Sequence, residues 1–277
     1  MATTRTIIAP NTNSGSGTVD LELLGIDVDV DVVVDPAVTA VEITVSTSDD
    51  TGASADSVTA AQLHWDPQNG ILVAHVQGND ANSGTTVTTG SGRGMSVFQT
   101  AGTVHGQMTG MVISGDMNIV NGRVVGGGQA LAVQRPAPVT IQARVPAASM
   151  VIARTQSAAV RTTGPLHAVA ATTQSGAVAV DASISVHAQT ISGSVGVRTV
   201  GAIKAQTMTG SIQINQVAQS ADLSTMAGSI RAHVTGTGVR LAASSMSGNV
   251  SITAAPHAVD SLTVRATSMS GRASTPR

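Results

Sequence analysis

From Val139 to the end of the chain, apolar residues return at alternate positions in short runs, and the runs themselves recur. Val139, Ile141, Ala143 and Val145 open the series. Six glycines follow (Gly176, Gly193, Gly210, Gly228, Gly248 and Gly271), 17, 17, 18, 20 and 23 residues apart, in similar peptides such as QTISGSVGV, QTMTGSIQI and SSMSGNVSI. Alternation with a period of two marks strands with one buried face. A unit this short cannot bury its apolar face alone, so it must stack on its neighbours.

Counting from each glycine defines columns. Two residues on stand Val178, Val195, Ile212, Ile230, Val250 and Ala273; four on stand Val180, Val197, Ile214, Ala232, Ile252 and Thr275. Seven before stand Val169, Val186, Ile203, Ala221, Leu241 and Val264, and the position five before is mostly alanine. Each repeat therefore reads as two short strands with a change of parity just before the glycine. Stacked about 4.8 Å apart, these strands predict an all-β fold, a right-handed parallel β-solenoid with rungs of 17–23 residues. The column two before the glycine (Gln174, Ile191, Met208, Met226, Met246, Met269) reads as core filler rather than a set of metal-binding thioethers. The six glycines read as structural turn residues, needing a positive φ or close backbone approach. On the outside, stacking sets Asp181 beside Arg198 and Lys204 beside Asp222.

Before the repeats the pattern changes twice. Residues 1–80 read as an N-terminal region of paired strands: GTVDLELLGIDVDVDVVV alternates, Asp35-Pro36 breaks it, and VTAVEITVSTS resumes. AAQLHWD and GILVAHV flank an Asn69-Gly70 hairpin signal, with Trp65 covering the end of that sheet. Residues 81–135 form a glycine-rich inserted segment, closed by Pro136 and Pro138, and residues 136–277 carry the repeats. Nowhere is there a convincing 3.6-residue period, so the chain reads as nearly all-β.

Composition narrows the chemistry. Cysteine is absent among the 277 residues, which excludes disulfides and thiolate metal sites. The charge balance of 14 basic to 16 acidic residues, with Trp65 and Phe98 the only aromatics, provides no basic footprint or stacking platform for nucleic acid. No run is apolar enough for a membrane span or signal peptide, which predicts a cytoplasmic protein unless another export route carries it to the surface. The seven histidines (His64, His75, His105, His167, His187, His233, His257) show no metal-ligand spacing. Asp27, Asp29 and Asp31 share one strand face; they could hold Ca²⁺, but read first as a solvated face that resists edge pairing. No phosphate loop or nucleophile elbow is present. The expectation is a non-enzyme without cofactor or metal, whose partner is not a small-molecule ligand.

The order GTVDLELLGIDVDVDV, AVEITVS, GILVAHV, VTIQARVPAASMVIAR, the SGxVxV-like repeats and the closing SLTVRATSMSGRAS resembles the bacterial β-strand-repeat domain family labelled "putative adhesin", whose function is unknown. The resemblance covers most of the chain and implies a solenoid without established catalytic residues. Residues 81–135 depart from it. There, VFQTAGTVHGQMTGMVISGDMNIVNG is similar to bacterial amyloid signalling motifs. Short stretches of strong β formers with low charge, no proline and Asn or Gln ladders favour templated stacking. The candidate interaction motif comprises Val97, Phe98, Gln99, Val104, His105, Val112, Ile113, Asn118, Ile119 and Asn121. The bland alternative makes the segment extra rungs or a loop.

The sequence thus points to a structural or interaction β-solenoid whose partner is another protein or a second copy, with self-assembly open. Two alternatives stand beside it: a signalling adaptor using the motif at about 94–122, and a carbohydrate-active β-helix.

Overall fold

The computed structural model describes residues 2–9, 18–24, 28–66, 70–77 and 137–276, together with four short strands between 85 and 125. The chain divides into two compact units, one of residues 1–78 and 137–277, the other of residues 79–136.

The first unit contains β1 (Thr3–Ile8), β2 (Thr18–Leu24), β3 (Val28–Val34), β4 (Glu42–Thr47), helix α1 (Ala53–Ala60), β5 (Gln62–Asp66) and β6 (Ile71–Gln77). In the second lie β7 (Thr85–Thr89), β8 (Ser96–Thr100), β9 (Asn118–Val120) and β10 (Arg123–Val125). The first unit then resumes with β11 (Val139–Val145), β12 (Met150–Thr155), β13 (Ala159–Thr173), β14 (Val178–Thr190), β15 (Val195–Thr207) and β16 (Ile212–Thr225). It ends with β17 (Ile230–Val234), β18 (Arg240–Ser245), β19 (Val250–Ala254), β20 (Thr263–Ser268) and β21 (Ala273–Ser274).

The seventeen strands of the first unit form one many-stranded sheet. Two series of pairings run through it. One follows β4, β11, β3, β13, β14, β15, β16, β17, β19 and β21; the other follows β6, β2, β12, β13, β14, β15, β16, β18 and β20. All of these pairs are parallel except β4 with β11. In the first series Val178 pairs with Val195, Val195 with Ile212, Ile212 with Ile230, and Ile230 with Val250. In the second, Val169, Val186, Ile203, Ala221 and Leu241 are in register. All these side chains are buried in one continuous core. Register is held because a slip by one residue would turn each apolar column out to water.

The reading of two short strands per repeat needs correction in the middle of the molecule. β13 to β16 each run unbroken for 13 to 15 residues and take part in both pairing series. From Gly228 on, the longer glycine intervals are absorbed between the two halves. A bend around Gly236 and Gly238 separates β17 from β18, and a 3₁₀ turn, Pro256–Ser261, separates β19 from β20. There the strands are short and separate.

The strands of residues 1–78 share this sheet and core. β3 lies between β11 and β13, and β2 lies between β6 and β12. β1 pairs antiparallel with β4, and β5 with β6, where Asp66 faces Ile71. Gly70 closes that hairpin with φ +66°, a conformation glycine adopts without steric cost, and its N–H donates to the Asp66 carbonyl at 2.9 Å. Trp65 packs partly buried against the core. At Asp35-Pro36 the chain turns, with the Ala37 N–H donating to the Asp35 carboxylate at 2.9 Å.

Helix α1 is an element the all-β reading omits. Its eight residues are too few for a clear period, yet Ala55 and Val58 lie on one buried face that continues to Ala61 just past its end, and Asp56 lies in the first turn. Tertiary burial, not propensity, sustains so short a helix. Nearby, Ala137 re-enters the unit held at both backbone groups: its N–H donates to Asp49 at 2.8 Å, and its carbonyl accepts from Ser54 Oγ at 2.7 Å.

One core position is polar without need. Thr162 stands between Val32 and Val180 in a buried column, and its hydroxyl has no hydrogen-bond partner. An unpaired buried hydroxyl costs about 1–3 kcal/mol. Thr162→Val keeps the shape and removes that cost, so it should stabilise the protein by about 1 kcal/mol and raise the melting temperature by roughly 2–4 °C. A melt of the variant at or below that of the parent would contradict the assignment.

Candidate interaction surface

The surface is organised by what happens at the glycine turns. Three residues before each glycine stand Thr173, Thr190, Thr207, Thr225, Ser245 and Ser268, a column that sequence reasoning passed over. The first five are buried and Ser268 is partly so. The glycine N–H donates to this hydroxyl at 2.9 Å for Gly176, 2.8 Å for Gly193, 3.0 Å for Gly210 and 2.9 Å for Gly271. The hydroxyl in turn donates to the carbonyl of the preceding repeat's glycine: Thr207 to Gly193 at 3.2 Å, Thr225 to Gly210 at 3.1 Å, Ser245 to Gly228 at 3.0 Å and Ser268 to Gly248 at 2.8 Å. A buried hydroxyl is thereby satisfied, and each turn is fastened to the next.

None of the six glycines has a positive φ. Their requirement is close approach. A Cβ built on Gly193, Gly210, Gly228, Gly248 or Gly271 would overlap the carbonyl of the preceding repeat's glycine, with the carbonyl carbon at 2.6–2.7 Å. On Gly176 it would meet Ala158 in the same way.

With the hydroxyl column turned inward, the next residue projects outward, and the core-filler reading of the methionine column is overturned. Ile191 is 48% exposed, Met208 and Met226 47%, Met246 48% and Met269 78%. These side chains make an apolar ridge along the turns. Stacking is direct: the Met208 carbonyl accepts from the Ala227 N–H at 2.7 Å, Met226 from Ser247 at 2.9 Å, and Met246 from Ser270 at 3.0 Å.

The ridge borders a shallow open groove of about 720 Å³ whose floor includes Thr173, Thr190 and Thr207. Two other open grooves follow the outer face. One of about 580 Å³ carries His187, Lys204, Asp222, Arg240 and Arg265; the other, of about 590 Å³, carries Arg161, Asp181 and Arg198. Arg198 and Asp181 form an ion pair, and Asp181 also accepts from the Gly164 N–H at 3.1 Å. Lys204 and Asp222 are side by side in register, as the stacking predicts. Exposed pairs of this kind contribute about 0–1 kcal/mol, so they guide register more than stability.

Asp29 and Asp31 are half-buried on β3, and Arg161 stands in register beside Asp31; Asp27 lies outside the described residues. No group of three His, Asp or Glu side chains converges among the described residues. Among the described histidines, His233 Nδ1 lies 2.9 Å from Thr253 Oγ1 and His257 Nε2 lies 2.9 Å from the Thr235 carbonyl oxygen, whereas the buried Nε2 of His75 has no hydrogen-bond partner. No described helix is long and apolar enough to cross a membrane.

The candidate motif of the inserted segment falls in the second unit. Val97, Phe98 and Gln99 lie on β8, which pairs antiparallel with β7 with Phe98 in register with Val87. Asn118 and Ile119 lie on β9, antiparallel to β10, with Ile119 in register with Val124. Val104, His105, Val112, Ile113 and Asn121 lie outside the described residues.

No protein-family model matches this chain, and no curated protein does. Solved structures match it over nearly its whole length. A "putative adhesin" from Parabacteroides distasonis has a TM-score of 0.44 and 9% identity, covering 99% of this chain and 96% of its own. One from Parabacteroides merdae has a TM-score of 0.42 and 7% identity, covering 100% and 96%. A third, from Bacteroides fragilis, has a TM-score of 0.44 and 10% identity, covering 100% and 97%. At such identities and scores these likenesses carry no argument about function.

Proposed function

We propose that this chain is a non-enzymatic interaction module, a right-handed parallel β-solenoid that associates with a second copy of itself through its apolar turn ridge. The observation that carries this reading is the exposure of Ile191, Met208, Met226, Met246 and Met269 in consecutive repeats. Isolated exposed apolar residues are ordinary, but a contiguous row on a hydrogen-bonded frame is the kind of surface that a partner covers. Its uniform spacing of about 4.8 Å favours a copy of the chain as that partner. Knobs on one ridge fit the gaps of an identical ridge related by a two-fold axis. The six glycines serve this surface as structural residues, since their close packing keeps the row in step. Residues 81–135 are read as a separate insertion, a division supported by the compact unit at 79–136.

Sedimentation equilibrium tests the proposal. The parent protein should be dimeric at micromolar concentration, and Met226→Glu/Met246→Glu should be monomeric with a melt within about 3 °C of the parent, because both positions are exposed. A monomeric parent at 100-fold higher concentration, or a doubly substituted protein that stays dimeric, would overturn it.

A further inference from the structure

The ridge changes chemical character along its length. In its first two described repeats the exposed position is Gln174 and then Ile191; from the third repeat on it is methionine, at Met208, Met226, Met246 and Met269. Apolar packing alone would accept leucine, isoleucine or valine there, and the chain uses these freely in its core. Methionine differs from them by a polarisable thioether on an unbranched stem with three rotatable bonds.

The hydrogen bonds through the turns place these residues one strand separation apart, about 4.8 Å between neighbouring backbones. Met208, Met226 and Met246 are about half exposed, to within one per cent of one another, so their environments are alike and their side chains reach solvent. Side chains of this length on adjacent strands can bring their sulfurs together around a single small ion.

The surroundings select which ion. Beside these three methionines, the outward residues two positions before are Gln206, Ser224 and Ser244, and those one position after are Thr209, Ala227 and Ser247. None is a carboxylate or an imidazole, so nothing here suits Mg²⁺, Ca²⁺ or Zn²⁺, which call for oxygen, imidazole or thiolate donors. Neutral thioethers are soft ligands that favour Cu(I). They carry no proton to displace, and the chain has no cysteine to compete as a softer donor. At the far end of the row the exposed Arg272 stands three residues beyond Met269, and its positive charge disfavours a cation there.

We infer that Met208, Met226 and Met246 form a three-thioether site for a soft monovalent cation of the Cu(I) class. The inference goes beyond the dimer proposal: an ion held by these sulfurs and a second copy packed on the same ridge exclude one another. The two are tested apart because the ion is read by its own stoichiometry and the dimer by sedimentation.

The probe is Ag(I), a redox-stable ion of the same class, titrated calorimetrically into the full-length protein. Cu(I) is then measured anaerobically against a chromophoric Cu(I) chelator. The expected result is one equivalent bound at the ridge, no binding of Zn²⁺ there, and at least tenfold weaker binding in Met226→Leu. In Met208→Leu/Met226→Leu/Met246→Leu that equivalent should be lost, while the melt stays within about 3 °C of the parent, because these exposed positions lie outside the core. Methyl resonances of selectively labelled methionine should shift for these three residues on Ag(I) addition. Absence of Ag(I) and Cu(I) binding by the parent, or unchanged stoichiometry in the triple variant, would overturn the site; in the latter case the metal belongs to methionines elsewhere in the chain.

Discussion

Ile212→Asp should uncouple the repeat stack at its centre. Ile212 is buried between Val195 and Ile230, and its column continues in both directions as aliphatic side chains. A carboxylate there has neither water nor a cation to stabilise it, and an unpaired buried charge costs several kcal/mol. The effect spreads because each repeat is stabilised mainly by its two neighbours; weakening one interface weakens the coupling across it. We expect a loss of about 4 kcal/mol or more, a fall in melting temperature of roughly 10 °C, and a broader, less cooperative transition. Circular dichroism melts provide the check. A variant melting within about a degree of the parent would mean that this column does not bear on the core.

Gly210→Ala should be nearly as damaging, although it adds a single methyl group. Its Cβ would overlap the Gly193 carbonyl and lie 2.9 Å from Thr207 Oγ1. Neither can retreat cheaply: the Gly193 carbonyl accepts from Thr207 at 3.2 Å, and Thr207 accepts from Gly210 at 3.0 Å. The turn must open and release both hydrogen bonds, so the expected cost is about 3 kcal/mol. Gly196→Ala is the internal control. Gly196 sits within a strand, and the nearest atom to its added Cβ is the Val178 carbonyl oxygen at an ordinary 4.0 Å. That substitution should be neutral or slightly stabilising, since it lowers the entropy of the unfolded chain. Equal losses at the two sites would remove close approach as the reason for the turn glycines.

Both substitutions separate kinds of information that the chain carries differently. Strand parity was legible in the sequence alone. In a parallel stack each residue repeats the environment of its counterpart one unit away, so Val178, Val195, Ile212, Ile230 and Val250 announce one inward column by their recurrence alone. The same logic put Asp181 beside Arg198. It failed at the methionines, because an apolar column looks like core whichever way it points. The deciding signal was present one position earlier, in the unbroken run of Thr and Ser three residues before the glycines. A hydroxyl recurring beside a glycine is a candidate to satisfy a buried turn, and that turns the next residue outward. The helix at Ala53–Ala60 was illegible for another reason: eight residues carry too little periodicity, and burial of Ala55 and Val58 against the rest of the unit sustains it.

By itself, the sequence determined the mostly β character, the spacing of the recurring segments and which side chains share a column, since these depend on period and composition alone. Tertiary structure decided which columns face water, why the turns need glycine, and that β2 and β3 are set among the later strands. These depend on contacts between residues distant along the chain. A backbone carbonyl pressed against Gly210, or a strand from the first 34 residues paired beside Val139, leaves no mark in local pattern because the partner lies elsewhere in the sequence.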